Sequence, residues 1–569
     1  MMVLENLIRA ARGEITVDLL ITNVKLVNLL SAEIYPASVA VFDGKIVGFG
    51  EYNARETIDG KGGYLTAGLI DGHVHIESSM LTPGEFARAV VPHGTTTVIA
   101  DPHEIVNVMG LDGLQYMLSA SAGLPVDMYF MLPSCVPATH LETAGAIVTA
   151  QQMQAWIDNP RVLGIGEMMN FPGVIWRDPQ VLQKIETAGT KMVDGHAPLL
   201  GGNDLSAYIA AGITSDHEST GPDEALEKLR KGLFLLIREG SAARNLDALL
   251  PIVNQLNSSN CGFVTDDRHP DYLMDYGHID DIVRRALKHG LDPVMALQMA
   301  SLNTARHYGL RQTGTIAPSY AADLIIFDDF ENFRVRQVFK AGRKVAEDGQ
   351  MLIGSPVFSG IPTNSMNPAP AQIRDFHVSA RGKEIWTIEI IPQQIITKKS
   401  RMNATVSNGQ VVSDPDRDML KIAVVERHQA SGRIGLGFVK GFGLKRGAIA
   451  STVAHDSHNV VIVGTNDADM LTALRELTEM HGGQIVVADG RVLAALPLPI
   501  AGLMSNQPLT DVRSAADHLS RAARELGCGL ENPFMTLSFL SLPVIPELKL
   551  TDKGLVDVGK FDFIDLFAD

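Results

Sequence analysis

The sequence predicts an α/β protein built around a (β/α)8 barrel. Eight apolar runs between residues 66 and 305 each end in polar residues, and helical stretches separate them. Alternating buried strands and helices of this kind close into a barrel, and the segment is close to the ~250 residues usual for one. β-rich stretches flank the segment on both sides, so the barrel reads as an insertion in a smaller sheet domain.

Residues 15–65 give short strands, in "VDLLITNVKLVNLL" and "ASVAVFDGKIVGFG", broken by Asn, Asp and Gly. The pattern returns over 313–350, in "ADLIIFDDF" and "VRQVFKAGRKVAEDGQ". The eight barrel runs are "YLTAGLIDGHVH", "GTTTVIADPHE", "VDMYFMLPSC", "RVLGIGEMMN", "KMVDGHAP", "GITSDHES", "LFLLIREGS" and "CGFVTDDRHP". "PDEALEKLRKG" and "HIDDIVRRALKHG" read as helices between or after them. "SPVFSGIPTNSMNPAPA", rich in Pro, Ser and Asn, reads as a linker. Beyond it, "VVIVGT" and "GQIVVADG" alternate with the helical "DADMLTALRELTEMH" and "TDVRSAADHLSRAARELG". The expected organisation is a small flanking β-sandwich from 1–65 plus 306–354, the barrel over 66–305, a linker over 355–371, and a C-terminal α/β domain over 372–569.

Composition narrows the function classes. The formal net charge of −17 argues against non-specific nucleic-acid binding, which needs a basic surface. Cys135, Cys261 and Cys528 are far apart with no C-x-x-C, so neither a disulfide framework nor a Cys-rich zinc site is expected. The start, "MMVLENLIRAARGE", lacks a signal-peptide apolar region, and no run reaches the ~20 apolar residues of a membrane span. The cytoplasm is the expected compartment, with no membrane partner.

The strand ends carry the chemistry, because catalytic groups of this barrel collect at that face. The first run supplies His73 and His75, and the second Asp101, His103 and Glu104. The fourth supplies Glu167, the fifth His196, the sixth His217, and the eighth Asp266 and Asp267. Positions i and i+2 of a strand share a face, so His73 and His75 can chelate one ion. One histidine at a strand end is usually a hydrogen-bonded structural residue. Four histidines with Glu167 and Asp266, each at its own strand end, are hard to obtain from packing alone. They predict a metal centre, with two ions bridged by a carboxylate. Imidazole and carboxylate without thiolate suit Mn or Fe as well as Zn. Other motifs are weaker. "HEIVN" is not H-E-x-x-H, "GIGEMM" and "GLGFVK" are not dinucleotide fingerprints, and no phosphate-binding P-loop is present. The "AHDSHN" stretch at 454–459 reads as structural or surface-exposed rather than as a second metal site, with a lid or dimer contact reaching the active site as the alternative.

With these residues in view, the chain resembles the amidohydrolase superfamily. "GLIDGHVH" is similar to its first-strand signature, with Ala67 where Pro is common, and His196, His217 and Asp266 match its later ligands. Within it the chain resembles the metal-dependent adenine deaminases of bacteria, through "DGHVHIESSM", "ADPHEI", "GIGEMMNFPGV", "IREGSAARN", "VTDDRHP", "AHDSHNVVIVGTND" and "LSFLSLPVIPELKLTDKGL". The fourth strand ends in Glu167 where hydantoinases, dihydroorotases and urease carry a carboxylated lysine. A glutamate bridge fits adenine deaminases, and it also resembles N-acetylglucosamine-6-phosphate deacetylases, the second reading. A barrel kept only for assembly is a third, though such proteins lose ligands that this chain retains. The zinc deaminase signature H-x-E…P-C-x-x-C is absent.

The resemblance implies adenine as the small-molecule substrate, two divalent ions (Mn or Fe before Zn) and hydrolytic deamination at C6. Asp266 is then the expected proton shuttle. Glu104, His103 and Glu239 are the candidates to protonate N1. Arg238 and Ser241 are placed on the purine edge, with Arg238 pairing an acid as the alternative, and Asp267 orients Asp266. A homodimer is expected because closed two-fold assemblies are the commonest.

Overall fold

The structure, a computed structural model, describes residues 2–241, 243–354, 360, 365–369, 373, 376–392 and 394–568. Most of the segment read as a linker, 355–371, lies outside the described residues. The eight apolar runs form eight strands: β1 (Leu69–Val74), β2 (Thr95–Ala100), β3 (Asp127–Leu132), β4 (Val162–Met168), β5 (Met192–Gly195), β6 (Ser215–Asp216), β7 (Phe234–Arg238) and β8 (Cys261–Val264). Neighbours pair in parallel from β1 to β5 and again from β6 to β8. Backbone bonds join the two arcs. Thr214 N–H donates to Val193 O at 3.0 Å beside β5 and β6. At the other seam His75 N–H donates to Asp266 O at 3.1 Å and Asp266 N–H to His73 O at 3.0 Å. Sequence runs without polar alternation fit this, since barrel strands are covered on both faces.

The first run splits. "YLTA" forms a strand of the smaller sheet (Tyr64–Ala67), and β1 begins after Gly68. A Cβ at Gly68 would lie 2.1 Å from Thr96 Oγ1, so only glycine fits that elbow. The smaller sheet holds nine strands from residues 17–67 and 324–351. Leu324–Phe327 pairs antiparallel with Tyr64–Ala67, so the chain leaves the sheet for the barrel and returns beside its exit.

The C-terminal region carries an eight-stranded sheet from residues 384–497, antiparallel at every pair except Glu384–Ile390 with Ile434–Lys440. Helix Asp467–Glu479 packs Met470, Ala473, Leu474 and Leu477 on one face. The opposite face packs Val486 and Ala488 into the core that includes helix Leu509–Glu525 and the barrel. Leu509 N–H donates to Glu85 Oε2 at 3.0 Å, and Arg513 pairs with Asp275 at 2.9 Å. Asn459 Nδ2 donates to Thr143 O at 2.8 Å in the loop after β3. These contacts seat the domain against the barrel mouth. Among the described residues no helix is long and apolar enough to cross a membrane.

Candidate metal centre

At the C-terminal ends of the barrel strands the predicted ligands converge. His73 and His75, two apart at the end of β1, bring their Nε2 atoms within 3.2 Å. Asp266, just past β8, places Oδ1 3.0 Å from His75 Nε2 and 3.8 Å from His73 Nε2. Glu167, the next-to-last residue of β4, stands between two groups of imidazoles. Its Oε1 is 3.3 Å from His75 Nε2 and 3.3 Å from His103 Nδ1. Its Oε2 is 2.6 Å from His196 Nδ1 and 3.1 Å from His217 Nε2. Gly166 makes this placement achievable: a Cβ there would lie 2.0 Å from Asp101 Oδ2, which accepts the Glu167 backbone N–H at 2.9 Å.

The site is buried and strongly charged. His73, His75, Glu167, His217 and Asp266 are buried. Burial pushes His73 well below the ordinary imidazole range, and His217 and His75 beside it add to the shift. Burial alone would raise the Glu167 carboxyl, but His196, with His217 and His75, holds it well below its usual range. For Asp266 burial is likewise overcome, by the Arg238 guanidinium and His75.

These residues fit a cation pair. Ligands at ~2.1 Å from one ion sit about 3.0–3.4 Å from each other, and His75 Nε2 stands at that spacing from His73 (3.2 Å), Asp266 (3.0 Å) and Glu167 (3.3 Å). Nδ1 of the buried His217 and Nδ1 of His73 have no hydrogen-bond partner among the described residues. Buried polar atoms left unpaired are costly, and coordination supplies the missing partner. Three overlapping groups of ligand atoms arise from the predicted set together with His103: His73, His75 and Asp266; His73, Glu167 and His217; and His75, His103 and Glu167.

The structure changes several expectations. His103 and Glu104 lie in the first turn of helix His103–Met109 rather than on β2 itself, which ends at Ala100. They still reach the centre, because that helix starts over the barrel mouth. Glu239 does not face it: its carboxylate pairs with Arg285 on helix Ile279–Lys288 and accepts the Leu246 N–H at 3.3 Å. Arg238 pairs with Asp266 Oδ2 and with both oxygens of Glu218, Oε2 at 3.0 Å. A buried guanidinium needs counter-charges, and these acids supply them. Ser241 Oγ accepts the His269 N–H at 2.9 Å and so braces the loop after Asp267. Asp267 accepts from Ser78 Oγ at 2.5 Å.

The "AHDSHN" stretch is not surface-exposed. His455, Asp456 and His458 are buried at the barrel mouth. His455 Nδ1 is 3.1 Å from Glu104 Oε1, to which Ser78 Oγ also donates at 3.0 Å. Asp456 Oδ1 is 3.9 Å from His103 Nε2. Burial would lower His455, but Glu104, followed by Asp267, raises it to about 9. Glu218, Ser78, His455 and Asp456 were not singled out by spacing as site residues; only the pair of histidines in "AHDSHN" hinted at the last two.

The His455–Glu104 pair predicts a measurable stability effect. Replacing His455 with Phe leaves a buried carboxylate without its cation, expected to cost ~3–5 kcal/mol in denaturant melts at pH 7. The sign with pH follows from a raised imidazole. The pair's contribution is complete below the ordinary value near 6.5 and is lost as pH rises through about 9, so wild type and variant should converge at alkaline pH. A gap that stays constant to pH 10 would show that the ion pair is not its source.

Two family models match. Residues 64–345 match the amidohydrolase family, and residues 394–562 match the adenine deaminase C-terminal domain. The chain is 52% identical over 572 residues to a protein named adenine deaminase from Desulfatibacillum aliphaticivorans, covering 100% of both chains. It is 50% identical over 568 residues to one from Oleidesulfovibrio alaskensis, covering 99% of each. A protein of the same name from Methanothrix thermoacetophila is 50% identical over 570 residues, covering 100% of both. With two family models matched and identity of 50% or more over the full length of proteins so named, the chain belongs to the adenine deaminase family of the amidohydrolases.

Proposed function

We propose that the chain hydrolyses adenine to hypoxanthine and ammonia. The observation that carries this is the full-length similarity to proteins named adenine deaminase, which includes the C-terminal domain that brings His455 to the barrel mouth. The sugar-phosphate deacetylase reading has no such support and is set aside.

His73, His75, Glu167, His196, His217 and Asp266 would hold two divalent ions, Mn or Fe before Zn. Such ions supply Lewis acidity and lower the pKa of water from 15.7 to about 7. The chain's own groups do the remaining work. Asp266, ionised and fixed through Oδ2 by Arg238, accepts a proton from the attacking water at Oδ1 and passes it toward the departing amine. Addition at C6 pushes electron density onto N1, which needs a proton. Glu104 and His103, which adjoin the centre, are the candidates to supply it, and Glu239 is engaged elsewhere. His455 and Ser78 hold Glu104 in place, and Asp456 faces His103. Burial of the cluster keeps bulk water from competing for these protons. The same reading takes residues 1–65 with 306–354, 66–305 and 372–569 as three domains. It places the protein in the cytoplasm as a homodimer, with neither nucleic acid nor membrane as partner.

The test is ammonia release from adenine after reconstitution with Mn, Fe or Zn separately, beside acetate release from N-acetylglucosamine 6-phosphate. Ammonia from adenine without acetate is the expected result; the reverse would overturn the assignment.

A further inference from the structure

The barrel closes across two seams, and they are held differently. Where β8 meets β1, backbone bonds tie the ligand residues themselves, His75 N–H to Asp266 O and Asp266 N–H to His73 O. Where β5 meets β6, the backbone bond is set back from the mouth, from Thr214 N–H to Val193 O at 3.0 Å. His196 and His217 stand just past these two strands, and both face Glu167 Oε2. Close to them, side chains take over the join.

Lys228 is central to it. It lies on helix Pro222–Arg230, and none of its side chain is exposed. Its Nζ donates to Asp216 Oδ2, to Glu224 Oε1 and to Ala197 O, each at 2.8 Å. An ammonium has three N–H donors, so all of them are engaged. Asp216, the last residue of β6, is buried as well and accepts the Ala197 N–H on Oδ1 at 3.0 Å. Its Oδ2 accepts the Glu218 N–H at 3.2 Å and the Ser219 hydroxyl at 2.9 Å. Ala197 follows His196 in the chain, and Glu218 follows His217. The pair therefore grips the N–H and the carbonyl of the residue beside one ligand, and the N–H of the residue beside the other. His196 itself is held from its own side, where its N–H donates to the Tyr208 hydroxyl at 3.0 Å.

Burying a carboxylate and an ammonium carries a desolvation cost, and an apolar pair of the same volume often stabilises a fold as well or better. Stability alone does not account for the pair. What apolar side chains lack is direction, and every hydrogen bond here points at the backbone that carries a ligand or at the helix behind it. We propose that Lys228 and Asp216 form a clamp that sets the spacing of His196 and His217. It governs the affinity of the ion on that side of Glu167 and leaves the ion at His73, His75 and Asp266 unaffected. Lys228 is a positioning residue, since it acts through Asp216 and the Ala197 backbone rather than on either imidazole. This rests on the two-ion reading above.

The test uses the full-length chain, stripped of metal and titrated with Mn²⁺ by equilibrium dialysis, so that binding is read without turnover. Two backgrounds isolate the half-centres. His73→Ala leaves His196, His217 and Glu167 intact, and His196→Ala leaves His73, His75 and Asp266. Lys228→Met, which keeps the bulk and removes the ammonium, is added to each. In the His73→Ala background it should weaken Mn²⁺ binding ~10–100-fold, the usual worth of a partner standing behind a ligand. In the His196→Ala background the change should stay below about threefold, as for independent sites. Equal losses in both backgrounds, or no loss in the first, overturn the clamp. Lys228→Met leaves the Asp216 charge buried. Should it fail to fold, Asp216→Asn with Lys228→Met removes both charges, and the same outcomes decide. If either background retains no ion, Lys228→Met alone is titrated: one ion weakened and one kept near wild-type affinity supports the clamp, and both or neither weakened overturns it. Wild type that binds fewer than two Mn²⁺ overturns the two-ion reading and the clamp with it, whereas two bound ions indifferent to Lys228 overturn the clamp alone.

Discussion

Glu167→Gln is expected to strip the protein of metal and activity together. The carboxylate gives one oxygen to His75 and His103 and the other to His196 and His217. An amide of the same size keeps one oxygen, but it puts an N–H donor and no charge where the second oxygen stood. That nitrogen cannot coordinate a cation, and on either side it meets imidazoles that already need an acceptor. Losing partners one shell further out typically costs 10–100-fold in metal affinity, so losing a bridging ligand should cost more than ~100-fold. Metal analysis after gel filtration, read beside ammonia release from adenine, checks this. Two ions retained with full turnover would remove Glu167 from the bridge.

Much of this site was legible because barrel strands advertise their ends. An apolar run that stops at His or Asp marks where a side chain emerges over the mouth, and parallel closure brings eight such points together. His73 and His75 needed only the strand's two-residue period. What spacing could not show was which acid meets which base. Arg238 and Glu239 are neighbours in sequence, yet one faces Asp266 and the other Arg285, because consecutive residues leave a strand on opposite sides. His455 lay further out of reach, since no local pattern joins it to Glu104 across a domain boundary. Its hydrogen-bonded seat depends on the docking of helix Leu509–Glu525 and of Asn459 against the barrel. In the C-terminal region, strands and helices follow each other much as in a parallel fold, but hairpins such as Gly483–Ala488 with Arg491–Pro497 make that sheet antiparallel at all pairs but one.

Asp266→Asn separates chemistry from binding. Asparagine keeps an oxygen that can accept from Arg238, so the buried guanidinium retains a partner and the loop after β8 keeps its place. What disappears is the basic oxygen beside His75, 3.0 Å from Nε2. Asp266 is held well below the ordinary carboxylate range, so in wild type it stays ionised through the neutral region and is always ready to accept a proton. Without it, general-base and general-acid help are both lost, and kcat should fall by ~10²–10⁴-fold. Hypoxanthine binding should stay within a few-fold of wild type, because a proton shuttle acts on turnover rather than on binding of the product. Metal content must be measured in the same preparation, since Asp266 also belongs to the ligand set. Normal metal content with near wild-type turnover would assign the proton transfer to another group, with His103 and Glu104 the first candidates. Normal metal content with turnover lost and the product still bound is the outcome that only a proton shuttle explains.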